Sequence, residues 1–246
     1  MCGRFTRTAE IPEIAVQFGV KEVASDLGPS YNIAPTQDIA VIISEGEKRL
    51  VQVRWGLIPA WADDPKIGNR LINARAETLV EKPSFKNAFR KRRCLIVADG
   101  FYEWQKSGTA KKPIYIRLKS GRPFGFAGLY ETWTSPDGEE VTTCTIITTE
   151  PNELMKPIHN RMPVIVPKDK EDIWLHPDSY EEELVELLEP YPADLMEAYE
   201  VSRMVNSPGN NSPECIEPVE GNGKGSEETE SRNKPSNSKK KSQRKS

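Results

Sequence analysis

The chain has 246 residues, of which 37% are hydrophobic, 8% aromatic and 29% charged, a composition typical of a folded globular protein and too rich in aromatics for a wholly disordered one. No run approaches the ~18 consecutive apolar residues of a membrane span, and the first residues lack the apolar core of a signal peptide, so we expect an intracellular protein without membrane contact. The four cysteines form no CxxC pair and have no histidine at ligand spacing, which predicts free thiols and no metal site.

The net charge of −3 is unevenly distributed along the chain. Residues 221–246 hold eight Lys or Arg and three Glu with no hydrophobic residue, which leaves a net charge of −8 on residues 1–220. A segment with nothing apolar to bury cannot offset the entropy of ordering its backbone. The sequence therefore predicts one domain at residues 2–219 and a disordered basic tail at 220–246. The tail is either a solvated extension, an address signal or a contact for phosphates or a replication-associated partner.

Apolar periodicity predicts one helix and then mostly strands. Residues 10–18 place Ile11, Ile14 and Phe18 on one helical face, with Thr8 as the expected N-cap. Short β-branched or aromatic runs bounded by Gly, Pro or Asp predict strands at 38–44, 50–55, 93–98, 113–118, 123–130, 141–148 and 162–166. Further helices are predicted at 84–92, 168–174 and 180–188. This order favours a single strand-rich α+β domain, with a distorted barrel-like core and short peripheral helices. Without a GxGxxG or Walker loop, no cofactor is expected.

Cys2 is the first candidate for chemistry because of its position. Initiator methionine is normally removed before a small residue, which would leave Cys2 with a free α-amine beside its thiol. An α-amine has a pKa of ~7.7–8.0 and is a better nucleophile near neutral pH than a lysine. Attack on an aldehyde gives an imine, and the adjacent thiol can close a five-membered thiazolidine on the same carbon. The alternative is a cysteine of no consequence near a frayed terminus.

Two further segments carry groups suited to proton transfer. Glu103 lies among aromatic residues directly after an apolar run, an environment that favours the protonated carboxyl of a general acid. His159 lies between Ile158 and Asn160, ahead of an apolar strand, and is a candidate proton shuttle. Asn73 follows two apolar residues and suggests an amide held for recognition. The alternatives are a solvated edge-strand Glu103 and a structural His159.

Arginines and aromatic residues suited to single-stranded nucleic acid are scattered through the body. Isolated guanidiniums occur at Arg4, Arg54, Arg75 and Arg161, while flat rings that could stack on bases occur at Trp55, Trp61, Phe101, Tyr102 and Trp104. Because the body is acidic, any such groove must be a local cluster. The alternative is a set of core aromatics and solvated arginines.

Seven segments, in order, resemble the SRAP (SOS response-associated peptidase) family over about residues 2–220. They are residues 1–5 (MCGRF), 31–36 (YNIAPT), 55–59 (WGLIP), 73–78 (NARAET), 99–104 (DGFYEW), 126–129 (FAGL) and 158–163 (IHNRMP). The resemblance implies an abasic-site processing enzyme that joins its N-terminal cysteine to the aldehyde of an abasic site in single-stranded DNA. The product is a reversible thiazolidine crosslink that shields the lesion.

The resemblance also implies a role for each matching residue. Cys2 would be the nucleophile, Asn73 would orient the amine and the opened sugar, and Glu103 would be the acid/base that opens the sugar ring. His159 would assist proton transfer and strand scission by β-elimination, a lyase activity. Phosphates would be held by Arg4, Arg75 and Arg161, with Trp61 stacking on a base.

Two other readings stay open at this point. One is a thiol autopeptidase in which Cys2 cleaves its own N-terminal leader with Glu103 and His159 as the acid/base pair. The other is a non-covalent single-stranded DNA module in which Cys2 is idle. A monomer is expected in each case.

Overall fold

The computed structural model describes residues 2–24 and 27–219. These residues form fourteen strands, which in chain order are β1 (Phe5–Arg7), β2 (Glu22–Ala24), β3 (Ser30–Ile33), β4 (Asp38–Ser44), β5 (Lys48–Trp55), β6 (Asn73–Arg75), β7 (Arg93–Ala98), β8 (Gly100–Ser107), β9 (Ala110–Leu118), β10 (Phe124–Thr134), β11 (Glu140–Thr149), β12 (Met162–Pro163), β13 (Ile165–Val166) and β14 (Met196–Glu200).

The α-helices are short and lie between strands. They are α1 (Ile11–Phe18), α2 (Lys86–Lys91), α3 (Glu171–Leu175) and α4 (Glu181–Glu186). Short 3-10 helices occur at Pro65–Arg70, Ala76–Thr78, Lys168–Lys170, Ala193–Leu195, Arg203–Asn206 and Pro213–Cys215. Gly19 ends α1 in the left-handed region at φ 68°, where a residue without a side chain is favoured. Within the described residues, no helix has the length and apolar character needed to cross a membrane.

Two sheets build the domain, and one of them closes on itself. The smaller sheet has the order β14-β9-β8-β1-β3. The larger runs β12-β11-β10-β7-β4-β5-β2, and a parallel pairing of β11 with β5 joins strands that lie apart in this order. Strands β5, β4, β7, β10 and β11 therefore form a closed ring. The expected strand-rich α+β domain with a barrel-like core is confirmed.

The ring strands β4 and β7 are buried on both faces over nearly their whole length. In β4, Ile39 and Val41 belong to one hydrophobic cluster, whereas Ala40 and Ile42 belong to another. The first cluster also contains residues of the smaller sheet, and the second contains the apolar faces of the α-helices. Because successive side chains of a strand point to opposite faces, this explains why these runs are continuously apolar rather than alternating.

Every predicted strand and helix occurs in the structure, but six strands, β1, β2, β3, β6, β8 and β14, were not predicted. The strands at 38–44 and 93–98 match β4 and β7, and the predicted helices match α1 to α4 to within a few residues. The segment 162–166 divides into β12 and β13. Thr8 was wrongly expected as the N-cap of α1. The N-cap is Glu10, and the Thr8 hydroxyl instead donates to Asp99 at 2.8 Å. The predicted tail at 220–246 lies outside the described residues.

Candidate active site

Cys2 lies just before β1, in the interior of the domain. Its side chain is fully buried. Burial raises the pKa of the thiol, the nearby charge of Glu103 raises it further, and a hydrogen bond with the Arg4 backbone opposes the shift. The balance favours a protonated thiol at neutral pH.

Asn73 contacts Cys2 from β6, a short strand beside the ring. Its side-chain Nδ2 donates to the Cys2 main-chain oxygen at 2.9 Å. Asn73 begins β6, which pairs in parallel with β11 through Ile146, so its position is fixed by the sheet. Its Oδ1 is buried and accepts no hydrogen bond from the described residues. The amide thus anchors the backbone of Cys2 and keeps one acceptor available to a group entering the site.

Glu103 lies on β8, the strand that pairs with β1. The register sets Phe101 opposite Phe5, which brings the carboxylate two residues later close to Cys2. Glu103 is buried, and its Oε2 lies 4.0 Å from Nε2 of His159. An acid held this way between a thiol and an imidazole is suited to general acid/base work.

His159 lies in the loop between β11 and β12 and is 27% exposed. Its Nδ1 is 3.1 Å from the Arg161 backbone nitrogen, which donates to it in the tautomer that carries its proton on Nε2. In the tautomer with the proton on Nδ1, the ring instead donates to the Arg161 carbonyl oxygen at 3.2 Å. Nε2 is thereby turned toward Glu103.

These contacts join the four residues predicted to act together. Cys2, Asn73, Glu103 and His159 come from four different segments and meet in one cluster, in which Cys2 and Glu103 are buried and Asn73 and His159 are partly exposed. The amide is bonded to the cysteine backbone, the acid lies near the thiol, and the imidazole lies beside the acid. In the described part of the chain, no group of three or more His, Cys, Asp or Glu side chains could hold a metal ion.

The three arginines predicted to hold phosphates have different environments. Arg4 is buried, its Nη1 donates to Asn32 Oδ1 and to the Val205 oxygen at 2.7 Å each, and its guanidinium lies 5.6 Å from the Trp104 ring centroid. Arg75 is exposed at the end of β6. Arg161 is 15% exposed. Arg75 is thus the most accessible of the three, and the phosphate role of each stays a prediction.

The aromatic residues divide by exposure. Trp61 is 59% exposed, in the loop after β5. Trp55, Phe101 and Tyr102 are fully buried. These three rings belong to the core and cannot receive a base, so the wider set of stacking residues considered from the sequence was wrong for them.

The family follows from comparison with known proteins. The model of the SOS response associated peptidase (SRAP) family matches residues 1–208. This chain belongs to the SRAP family. Among its relatives, the abasic site processing protein YoqW of Bacillus subtilis is 54% identical over 88% of this chain and 99% of its own length. The abasic site processing protein HMCES of Gallus gallus is 34% identical over 78% of this chain and 67% of its own length.

A solved structure shares the SRAP chain's fold. The crystal structure of a protein from Bacteroides thetaiotaomicron superposes with a TM-score of 0.82 at 31% identity, and the match covers 89% of this chain and all of that protein.

Sequence reasoning missed two acidic residues of this SRAP chain. Asp99 accepts hydrogen bonds from the Thr6 hydroxyl at 2.5 Å and the Ala9 backbone at 3.0 Å, and so ties the start of the chain to the turn before β8. Glu77 forms an ion pair with Arg161. An Asp-Gly turn after an apolar strand was visible in the sequence, but the partners of both acids are more than 80 positions away.

Proposed function

We propose that this protein processes abasic sites in single-stranded DNA by forming a covalent crosslink through Cys2. The observation that carries the proposal is the cluster of the buried residues Cys2 and Glu103 with Asn73 and His159. The names of the SRAP relatives YoqW and HMCES, both abasic site processing proteins, support the same substrate.

The chemistry requires that Met1 be removed, so that Cys2 carries the α-amine. The amine adds to the aldehyde carbon of the ring-opened abasic sugar, and one water leaves to give an imine. The thiol sulfur then adds to the imine carbon, and its proton is transferred to the nitrogen, which closes the thiazolidine. In this order the amine is the first nucleophile, and the thiol gives up its proton only as the ring closes.

The surrounding residues supply proton transfer and orientation. Glu103 protonates the ring oxygen of the sugar as it opens and takes the proton back when the crosslink reverses. Asn73 orients the backbone of Cys2 and offers its Oδ1 to the amine or to a sugar hydroxyl. His159, beside Glu103, serves later proton transfers and strand scission by β-elimination, so a lyase activity accompanies the crosslink.

The strand itself is held by local positive charge on an acidic body. Arg75, Arg161 and Arg4 would contact phosphates, and the exposed Trp61 would stack on a base. Stacking and phosphate contacts are sequence-tolerant, which suits a protein that searches any strand for a lesion.

A thiol peptidase would use the same cysteine differently. Its nucleophile is a thiolate, and the raised pKa of the Cys2 thiol opposes that ionisation. Release of Met1 needs no autoproteolysis, because ordinary methionine removal accomplishes it. A non-covalent DNA module would not need a nucleophile, an acid and an imidazole in contact. Both remain outcomes of the following test.

The test incubates the protein with a single-stranded oligonucleotide containing one abasic site, followed by denaturing electrophoresis. We expect a heat-stable adduct with the wild type and with the control Cys215→Ser, whose thiol lies elsewhere in the domain. Cys2→Ala should give none, yet keep weak, salt-sensitive binding to undamaged strands. A heat-stable adduct of Cys2→Ala at wild-type yield would refute the mechanism. Binding without any adduct in the wild type would favour the non-covalent module.

A further inference from the structure

The ion pair between Glu77 and Arg161 fills the part of the arginine that would receive a phosphate. Glu77 Oε2 accepts from Arg161 Nη2 at 3.0 Å, and Glu77 Oε1 pairs with Nη1 in a short contact, so the carboxylate binds the fork of the guanidinium through both oxygens. Arg161 Nη2 also donates to the Thr148 carbonyl oxygen at 2.5 Å.

The Nε donor of the Arg161 guanidinium does not face the solvent. Arg161 Nε is buried and makes no hydrogen bond within residues 2–24 and 27–219. The arginine side chain is 15% exposed, whereas that of Glu77 is 52% exposed. A ligand approaching from solvent therefore meets the carboxylate first. Two parallel N–H···O bonds are also how arginine binds a phosphate, so a phosphate needs the donors that Glu77 now occupies.

The fold places this carboxylate beside the proposed site. Glu77 lies in the 3-10 turn Ala76–Thr78 directly after β6, two positions beyond Arg75 and four beyond Asn73. The Arg161 backbone contacts the His159 ring. The hydrogen bond from Arg161 lowers the pKa of Glu77, so the carboxylate is ionised at neutral pH and would repel a strand until it moves aside.

We infer that Glu77 occupies the phosphate position of Arg161 in the DNA-free protein, and that a bound strand must displace it. The inference rests on the proposed function, since it takes Arg161 as a phosphate ligand. Breaking the ion pair between Glu77 and Arg161 costs free energy, and this cost weakens the binding of every strand. An undamaged strand has no covalent bond to compensate and dissociates, while an abasic strand is retained by the crosslink. Glu77 therefore determines specificity by limiting unproductive binding.

The test compares Glu77→Gln with the control Glu150→Gln, measuring affinity for an undamaged single-stranded oligonucleotide by fluorescence anisotropy. Glu150 is exposed and lines the same groove as Glu77, but makes no hydrogen bond with Arg161 among the described contacts. We expect Glu77→Gln to bind about two- to fivefold more tightly than Glu150→Gln, the range typical of one partly exposed ion pair. Its affinity should also fall more steeply with salt, by up to about 0.7 in the logarithmic slope.

Two further measurements fix the cause. The gain from Glu77→Gln should disappear in an Arg161→Gln background, because it acts through that guanidinium. The crosslinking rate of the saturated abasic complex should stay within about twofold of wild type, while an undamaged competitor should inhibit crosslinking at lower concentration. Equal affinities for Glu77→Gln and Glu150→Gln, or a gain that persists without Arg161, would overturn the inference. Weaker binding by Glu77→Gln would instead make Glu77 a support for Arg161. If the wild-type protein forms no crosslink at all, that result refutes the proposed function and leaves the inference about Glu77 to be judged by the binding assay.

Discussion

Gly100 is a position where the smallest substitution should disturb the scaffold of the site. It opens β8, which carries Glu103, and it pairs with Thr6 of β1. A methyl group added at Gly100 would lie 2.6 Å from Cε2 of Tyr115 and closer still to its Cζ and hydroxyl. Tyr115 cannot easily retreat, because its ring is buried against Tyr102 at a centroid distance of 5.0 Å and its hydroxyl lies 2.9 Å from the Thr6 hydroxyl.

The magnitude follows from these contacts. Overpacking a core costs about 1–3 kcal/mol. Moving the ring also breaks the hydrogen bond with Thr6, which adds about 1 kcal/mol. Gly100→Ala should therefore lower the free energy of unfolding by about 2–4 kcal/mol, and Tm by roughly 5–15 °C for a domain of this size.

Urea denaturation followed by tryptophan fluorescence measures this loss. Gly28→Ala is the matched control, because a methyl group there meets no atom within 4 Å among the described residues, and its cost should stay within about 0.5 kcal/mol. The cost of Gly100→Ala should shrink in a Tyr115→Ala background, where the obstacle is gone. Equal urea midpoints for the Gly100→Ala and Gly28→Ala variants would refute the argument that Tyr115 leaves no room for a side chain at position 100.

Three other predictions concern catalysis, pH and the tail. Glu103→Gln should slow crosslinking and its reversal by a similar factor of about 10²–10⁴, because one path serves both directions, and unchanged rates in a time course would make the carboxylate structural. Burial raises the pKa of the Cys94 thiol and of the Tyr102 phenol, so the unfolded chain releases their protons first and the free energy of unfolding should fall as pH rises from about 8 to 11. In urea titrations, Tyr102→Phe should reduce the fall in the free energy of unfolding above about pH 10. An unchanged slope would assign that fall to other groups. Deleting residues 220–246 should flatten the salt dependence of DNA binding without changing the crosslinking rate of the bound complex, and a several-fold slower bound-state rate would contradict a domain that ends at 219.

The sequence predicted best the strands that the core buries on both faces. β4 and β7 are continuous β-branched runs, and their predicted limits agree with the structure. β14, with the sequence MEAYE, carries two Glu and an Ala, residues that strands disfavour, and it is a strand because β9 offers it an edge. β8 was missed as a strand although its acid was chosen and although it pairs with the neighbouring β9 in a hairpin, since its second half carries the polar, partly or fully exposed residues of the sequence QKS.

The same distinction applies to the site. Cys2, Glu103 and His159 could be chosen because each has a reactivity of its own beside an informative neighbour. The roles of Glu77 and Asp99 depend on partners more than 80 positions away, which no local pattern encodes. The burial of Trp55 and Phe101 was equally invisible, because an aromatic residue beside a strand end suits a core and a stacking surface alike.

Intact mass spectrometry of the protein after incubation with an abasic single-stranded oligonucleotide tests the central claim most directly. The account predicts a species whose mass is that of the chain without Met1 plus the oligonucleotide minus one water, with Cys2 as the modified residue in a peptide map. A protein that keeps Met1 and still forms the adduct, or an adduct mapped to a lysine or to another cysteine, would contradict it.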